Sequence, residues 1–421
     1  MPVAEEKLPN RWVMALAALV SQLCYGSVPA WSVFTKPLMA GEGWSLMRVS
    51  TAFMIAMTVL GIGSYIGGSW QDRAGPRRVA SVAGLLYGLG FLIAALGATL
   101  HSLIIIYIGL GLFCGLGMGM GYICPIALMA KWFPDHRATM TGAAVMGFGG
   151  GAFIFSPIAA RLIVATGIAP TFVAFGIGYG LLVLGCARLY RDPPEGWAPA
   201  GWQYPAHLKA VQIDFTARQA LGTLRFWLLA SMLSINTLAG NMILSQASPL
   251  TQQQTSLDAI GASTIVGMLS IFNALGRVFW ARLSDTLGRA ETYFTLFAIQ
   301  VFIFFALPSV HGVTLYTVLM CTLFLCYGGG FGLTPSFTAD LFGVRNVGGI
   351  FGWIMLVWGF AIIPSPILIA RVREATGNYD VSLYAIGVLM VIALALPILA
   401  RREIRKVARA RHAETARATT I

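Results

Sequence analysis

Gly68-Ser-Trp-Gln-Asp72-Arg-Ala-Gly75-Pro-Arg77 and Ala281-Arg-Leu-Ser-Asp285-Thr-Leu-Gly288-Arg289 are two copies of one pattern. In each, a small residue stands four positions before an aspartate and a glycine three positions after it, and the aspartates are 213 residues apart. Each copy directly follows a long apolar run. A chain that repeats a charged loop at this distance, between apolar runs, is built as two related halves.

The composition says where those halves reside. The chain is 57% hydrophobic and 10% charged, with a mean hydropathy of +0.76. A soluble domain carries about 25% charged residues, so these 421 residues cannot form a water-facing surface. Stretches of about 20 apolar residues match a bilayer core of about 30 Å. Twelve are predicted, at 12–34, 46–70, 79–100, 103–130, 138–165, 170–189, 226–248, 260–281, 292–310, 313–341, 347–370 and 381–400, numbered here as spans 1–12. The expected fold is all-α and polytopic, with twelve transmembrane helices in two six-helix halves. The expected organisation is a first half at 1–190, a cytoplasmic linker at 191–224, a second half at 225–400 and a basic tail at 401–421.

Of the 28 lysines and arginines, 22 fall in the N-terminal segment, alternate short loops, the linker and the tail. This positive-inside bias predicts a multi-pass protein of the plasma (inner) membrane with both ends cytoplasmic. It also accounts for the net charge of +12 without nucleic acid. The N-terminus leads into a span too long for a signal peptide. All six cysteines lie in apolar runs without metal-ligand spacing and read as small buried hydrophobes. The glycine-rich run Gly109–Gly121 has G-x-G spacings, but membrane helix on both flanks makes it a helix-packing surface, not a nucleotide loop. H-E-x-x-H and G-x-S-x-G are absent, and no enzyme activity or cofactor is expected.

Arg277 is the one charged residue placed near the middle of a span. Eight residues separate it from Asp285, a rise of about 12 Å. A guanidinium at such depth costs about 2.5–3.5 kcal/mol on insertion scales and needs a partner. No acid lies at comparable depth, which makes an anionic substrate the expected partner. Asn273, four residues earlier on the same face, can add a hydrogen bond, and a guanidinium grips a carboxylate with two parallel bonds. The alternative is an arginine satisfied by backbone carbonyls.

The duplicated loops resemble the signature G-x-x-x-D-R-x-G-R-(R/K) of the major facilitator superfamily, the first copy more closely. Tyr25-Gly-Ser-Val-Pro-Ala-Trp31, Lys131-Trp-Phe-Pro-Asp-His-Arg137 and Asn273…Gly276-Arg277 resemble its oxalate–formate exchanger and bacterial monocarboxylate transporter branch. The resemblance covers essentially the whole chain and implies a substrate carboxylate on Arg277. It also implies that exchangers of the oxalate dianion place a lysine on span 11. Met355 occupies that position, and no Lys or Arg lies between Val347 and Ala370.

Candidate walls of the site are Tyr25 and Trp31, Tyr122, Tyr327 and Phe331, and Trp358, with Asn236 and Asn241 as further polar groups. Asp72, Arg73, Arg77, Asp285, Arg289, Arg137 and Arg345 are candidates for gating, capping helix ends or pairing when the inner face is closed. The expected function is alternating-access transport of a small monocarboxylate (lactate-, pyruvate- or formate-like), proton-coupled, by a functional monomer. The first alternative is an obligatory anion exchanger, such as oxalate for formate. The second is a membrane anion sensor that does not transport.

Overall fold

The computed structural model describes residues 10–194, 197–199, 201–202 and 214–406. The first nine residues, most of the 191–224 linker and the tail beyond 406 lie outside the described residues. Within them the chain is helical, and ten helices are long and apolar enough to cross a membrane. They are spans 2–10, at Leu46–Ala74, Pro76–Thr99, Leu103–Trp132, Pro134–Thr166, Ile168–Leu189, Leu224–Ser245, Gly261–Leu287, Arg289–Ser309 and Val313–Phe342, and span 12 at Asp380–Lys406.

The other two spans are each made of two pieces. Span 1 runs Arg11–Tyr25, turns through a short 3₁₀ segment at Val28–Trp31, and resumes at Ser32–Glu42. This corrects the continuous helix expected at 12–34. The break is held by Tyr87 of span 3, whose hydroxyl donates to the carbonyl of Cys24 at 2.9 Å and lies 3.0 Å from the Ser27 hydroxyl. Span 11 runs Val347–Ala361 and Pro364–Thr376. Two prolines, 364 and 366, remove two helical hydrogen bonds there. In span 5 the single Pro157 removes one, and that helix continues unbroken from Arg137 to Thr166. A helix at Ala247–Thr255, not expected from the sequence, connects spans 7 and 8.

The duplicated loop pattern has a structural reason at every conserved spacing. Gly75 and Gly288 sit between paired helices with φ of +82° and +97°, a region that only glycine enters without strain. The small residue four before the aspartate marks where the halves cross. A side chain on Gly68 would run into the backbone of Gly348 in span 11. In the second copy, Ala281 lies against Gly142 of span 5. The halves therefore meet at two equivalent crossings, span 2 on span 11 and span 8 on span 5.

Both described chain ends lie at one end of the bundle, where Arg11 pairs with Asp135 and Arg401 with Glu291, each at 2.9 Å. If the close crossing at Gly68 holds that end shut, Gly68→Val should force the halves apart there. Spin labels on Arg78→Cys and Arg282→Cys, both exposed positions, should report a longer separation in the Gly68→Val protein. An unchanged distance distribution would mean that this contact does not set the closure.

Candidate functional site

Arg277 is 7% exposed and lies at the span 8–span 5 crossing. One terminal nitrogen, Nη1, donates to the carbonyl of Val145 in the opposite half at 2.9 Å, and the other, Nη2, donates to Asn273 Oδ1 at 3.2 Å. Asn273 thus orients the guanidinium through its oxygen, leaving its own amide N–H groups as donors. Gly149 makes the approach possible: a Cβ there would stand 3.1 Å from the guanidinium carbon. Among the described residues, no carboxylate pairs with Arg277.

Aromatic side chains close around this charge from both halves. The guanidinium carbon is 5.0 Å from the centre of the Phe331 ring and 5.9 Å from that of Phe148, within cation–π range. Phe331 is edge-on to Tyr327 at 5.9 Å and to Trp358 at 5.8 Å. Across the interface Tyr122 packs on Phe148 at 5.2 Å and reaches Phe351 of span 11 at 6.5 Å. Phe351, Met355 and Trp358 share one stripe of span 11 at helical spacing, so Met355 belongs to the same wall; it is 1% exposed.

Buried donors outnumber acceptors here. Arg277 Nε and Trp358 Nε1 are buried without a hydrogen-bond partner, and buried donors are ordinarily paired. Ser263, Gly267, Ser270 and Ala274 occupy the stripe of span 8 that continues to Arg277, and the first three are exposed. That face is small and polar from the end of the bundle remote from the chain termini down to the charge.

Other candidates lie elsewhere. Tyr25 packs inside the first half, edge-on to Tyr87 at 5.2 Å and against Gly121. Trp31 donates to the Val49 carbonyl at 3.1 Å and stacks on Phe34 and Phe172. It borders a small apolar gap, with room for about one water molecule, shared with Ser27, Phe91 and Phe175. Asn241 donates to Ser365 at 2.7 Å, beside the break in span 11, and Asn236 turns into the second half.

Phe148, Phe351 and Gly149 were not anticipated, nor was Gln22, which donates to the Tyr122 carbonyl at 3.0 Å. A lone amide in an apolar run was the available signal for Gln22. The others look like ordinary packing residues in a sequence.

The charged loop residues gather at the end carrying the chain termini. Asp72 accepts the backbone N–H of Gly349 at 2.6 Å, capping the start of span 11. Its counterpart Asp285 accepts from Thr139 at 3.2 Å, at the start of span 5, and pairs with Arg289 at 2.8 Å. Asp340 bridges the halves by binding both Arg137 at 2.7 Å and Arg289 at 2.8 Å. Arg73 and Arg77 are exposed and form no ion pair among the described residues. The backbone N–H of Arg345 donates to Asp214 at 3.2 Å.

This architecture is similar to that of the human organic anion transporter MFSD10, whose crystal structure superposes with a TM-score of 0.73 at 13% identity over 93% of this chain and all of that one. At that identity the likeness concerns the fold alone. An oxalate:formate antiporter of Oxalobacter formigenes is 27% identical over 350 residues, 81% of each chain. Apicoplast pyruvate carrier 1 of Toxoplasma gondii is 27% identical over 377 residues, 74% of this chain and 67% of its own. The Major Facilitator Superfamily model matches residues 14–366, and with the duplicated loops and the two six-helix halves this makes the chain a member of the major facilitator superfamily of transporters.

Proposed function

We propose that the chain is an alternating-access, proton-coupled carrier of small monocarboxylate anions of the lactate, pyruvate or formate kind, with Arg277 and Asn273 holding the carboxylate. The observation that carries this reading is Arg277 itself: a buried cation between the halves, without a paired acid among the described residues and with Nε unpartnered. One fixed positive charge neutralises one carboxylate, whereas a dianion would leave a net negative charge in an aromatic enclosure. Met355, where a second cation would sit, supports a single negative charge. Phe148, Phe331, Phe351 and Trp358 suit a short carbon remainder. The relatives named for oxalate:formate exchange and for pyruvate transport fit the same substrate class.

Alternating access follows from the two crossings. The carboxylate enters along the Ser263–Ser270 stripe, and the cycle then requires the Asp340 bridge and the helix caps at Asp72 and Asp285 to open as the halves rock. By this reading the end with the termini is the cytoplasmic one. The proton would travel with the substrate as the acid, since among the described residues no carboxylate pairs with Arg277. That same absence favours a second reading, obligatory anion exchange, which needs no proton carrier. An inward proton gradient should accelerate uptake into empty proteoliposomes under the first reading. Under the second, uptake should require anion inside and ignore the gradient.

Substitutions at two positions test the site. Arg277→Ala removes a charged hydrogen-bonding partner worth about 1.5–3 kcal/mol, so saturable uptake of radiolabelled pyruvate and lactate should fall by roughly tenfold to a hundredfold. Arg277→Lys should retain part of it. Unimpaired uptake in Arg277→Ala would sink the assignment. Met355→Lys supplies a second cation on the same wall and should raise uptake of oxalate relative to pyruvate. An unchanged oxalate-to-pyruvate ratio in a folded Met355→Lys protein would argue that Met355 does not set the charge preference.

A further inference from the structure

Span 10 reads Tyr327-Gly-Gly-Gly-Phe331-Gly332 where it passes the site. Glycines remove side chains that would otherwise separate helices. Here they bring span 8 down onto span 10 at the turn that carries Arg277. A Cβ on Gly328 would enter the Asn273 backbone, one on Gly332 the Arg277 backbone, and one on Gly276 the backbone of Leu325. The same glycines leave the backbone carbonyls of the Tyr327–Phe331 turn open to polar side chains from the neighbouring helices.

Polar side chains grip that turn from its other side. Asn236 of span 7 donates from Nδ2 to the carbonyl of Tyr327 at 2.9 Å, and Gln300 of span 9 donates from Nε2 to Asn236 Oδ1 at 2.9 Å. Tyr293 donates to the carbonyl of Gly330 at 2.9 Å. Asn236 is 0% and Gln300 1% exposed, and Gly330 faces the Asn236 amide. An asparagine amide can present either its oxygen or its nitrogen to a neighbour. Turned the wrong way, Oδ1 would face the Tyr327 carbonyl and repel it. With Nε2 of Gln300 on Oδ1, Asn236 keeps the orientation in which Nδ2 meets the Tyr327 carbonyl.

We infer that Asn236 and Gln300 are positioning residues of the substrate site: a buried amide relay from span 9 through span 7 sets the rotation of the Tyr327–Phe331 turn against Arg277. This rests on the proposed role of Tyr327 and Phe331 as walls of that site. Neither amide bonds to Arg277 or to an aromatic side chain of the enclosure; Asn236 reaches it only through the Tyr327 backbone carbonyl, so the relay acts through span 10.

The test is a double-substitution cycle in the full-length carrier, reconstituted in proteoliposomes with radiolabelled pyruvate as the probe. Gln300→Met keeps length and apolar packing but cannot donate. It should raise KM about tenfold, equivalent to about 1.4 kcal/mol, with turnover changed far less and thermal melting nearly unchanged. Asn236→Ala should do the same. In a Tyr327→Ala background, Gln300→Met should add little, because the group it positions is gone. Fluorine NMR of Tyr327→fluorotyrosine supplies a reading that needs no substrate: Gln300→Met should shift its resonance, whereas Gln300→Glu, protonated and able to donate, should restore it. Multiplicative effects on KM, or an unmoved fluorine resonance, would overturn the relay. A shifted resonance with KM unaffected by Tyr327→Ala would instead remove Tyr327 from the site and leave the relay as a feature of the helix alone.

Discussion

A guanidinium buried between two helical halves, with no acid paired to it among the described residues, is the constraint around which the rest of this structure is arranged. Removing an ion from water is expensive, and the cost is recovered only when its hydrogen-bonding groups find partners. Arg277 finds one partner on its own helix, Asn273, and one on the opposite half, the Val145 carbonyl. The second exists only while span 5 lies against span 8. Glycine at position 149 permits that contact, and Gly142, about two turns away on the same helix, lies against Arg277 and Ala281 in the same crossing. The electrostatics of the site and the closure of the halves are therefore one problem, solved by the same small residues.

The duplicated loops solve the mechanical side. In both copies the small residue lets two helices cross, the aspartate reaches the start of the opposing helix, and the glycine makes the tight reversal into the next span. Asp72 caps span 11 through a backbone N–H, while Asp285 reaches span 5 through Thr139. A carboxylate at a helix N-terminus interacts favourably with the helix dipole. Asp340 adds what the duplicated motif lacks, a bridge that binds Arg137 of one half and Arg289 of the other. These contacts cluster at one end, so rocking of the halves can break them together without disturbing the interior of either half.

The repeat period, hydropathy and charge bias made the twelve spans and their duplication legible without coordinates, because each reports a bulk property of the bilayer. The depth of Arg277 was legible for the same reason. Side-chain direction was not. Tyr25 and Tyr122 look alike as aromatic residues in apolar runs, yet one packs on Tyr87 inside the first half and the other on Phe148 beside the charge. The difference comes from the break in span 1, which turns on the grip of Tyr87 on the Cys24 carbonyl, a contact between residues 63 apart. Phe148, Phe351 and Gly149 escaped notice because their role depends on which helix faces them. Asn236 drew attention as a polar residue, but its partners Tyr327 and Gln300 lie 91 and 64 positions away.

The carbonyl that holds Arg277 also bears on how the carrier returns. A buried charge left wholly unpaired in the empty state would oppose any reorientation that did not carry an anion, and such a protein would be confined to exchange. The guanidinium has two internal partners, so a carboxylate bound there as proposed would replace hydrogen bonds instead of creating all of them. Net affinity is then the difference between two sets of bonds, which suits a site that must release its cargo. The Nε donor that stays unpaired supplies the margin in favour of the anion. Under the proposed cycle the Val145 bond, which spans the two halves, breaks as they rock apart, so a bound carboxylate would take over that partner's place on the guanidinium.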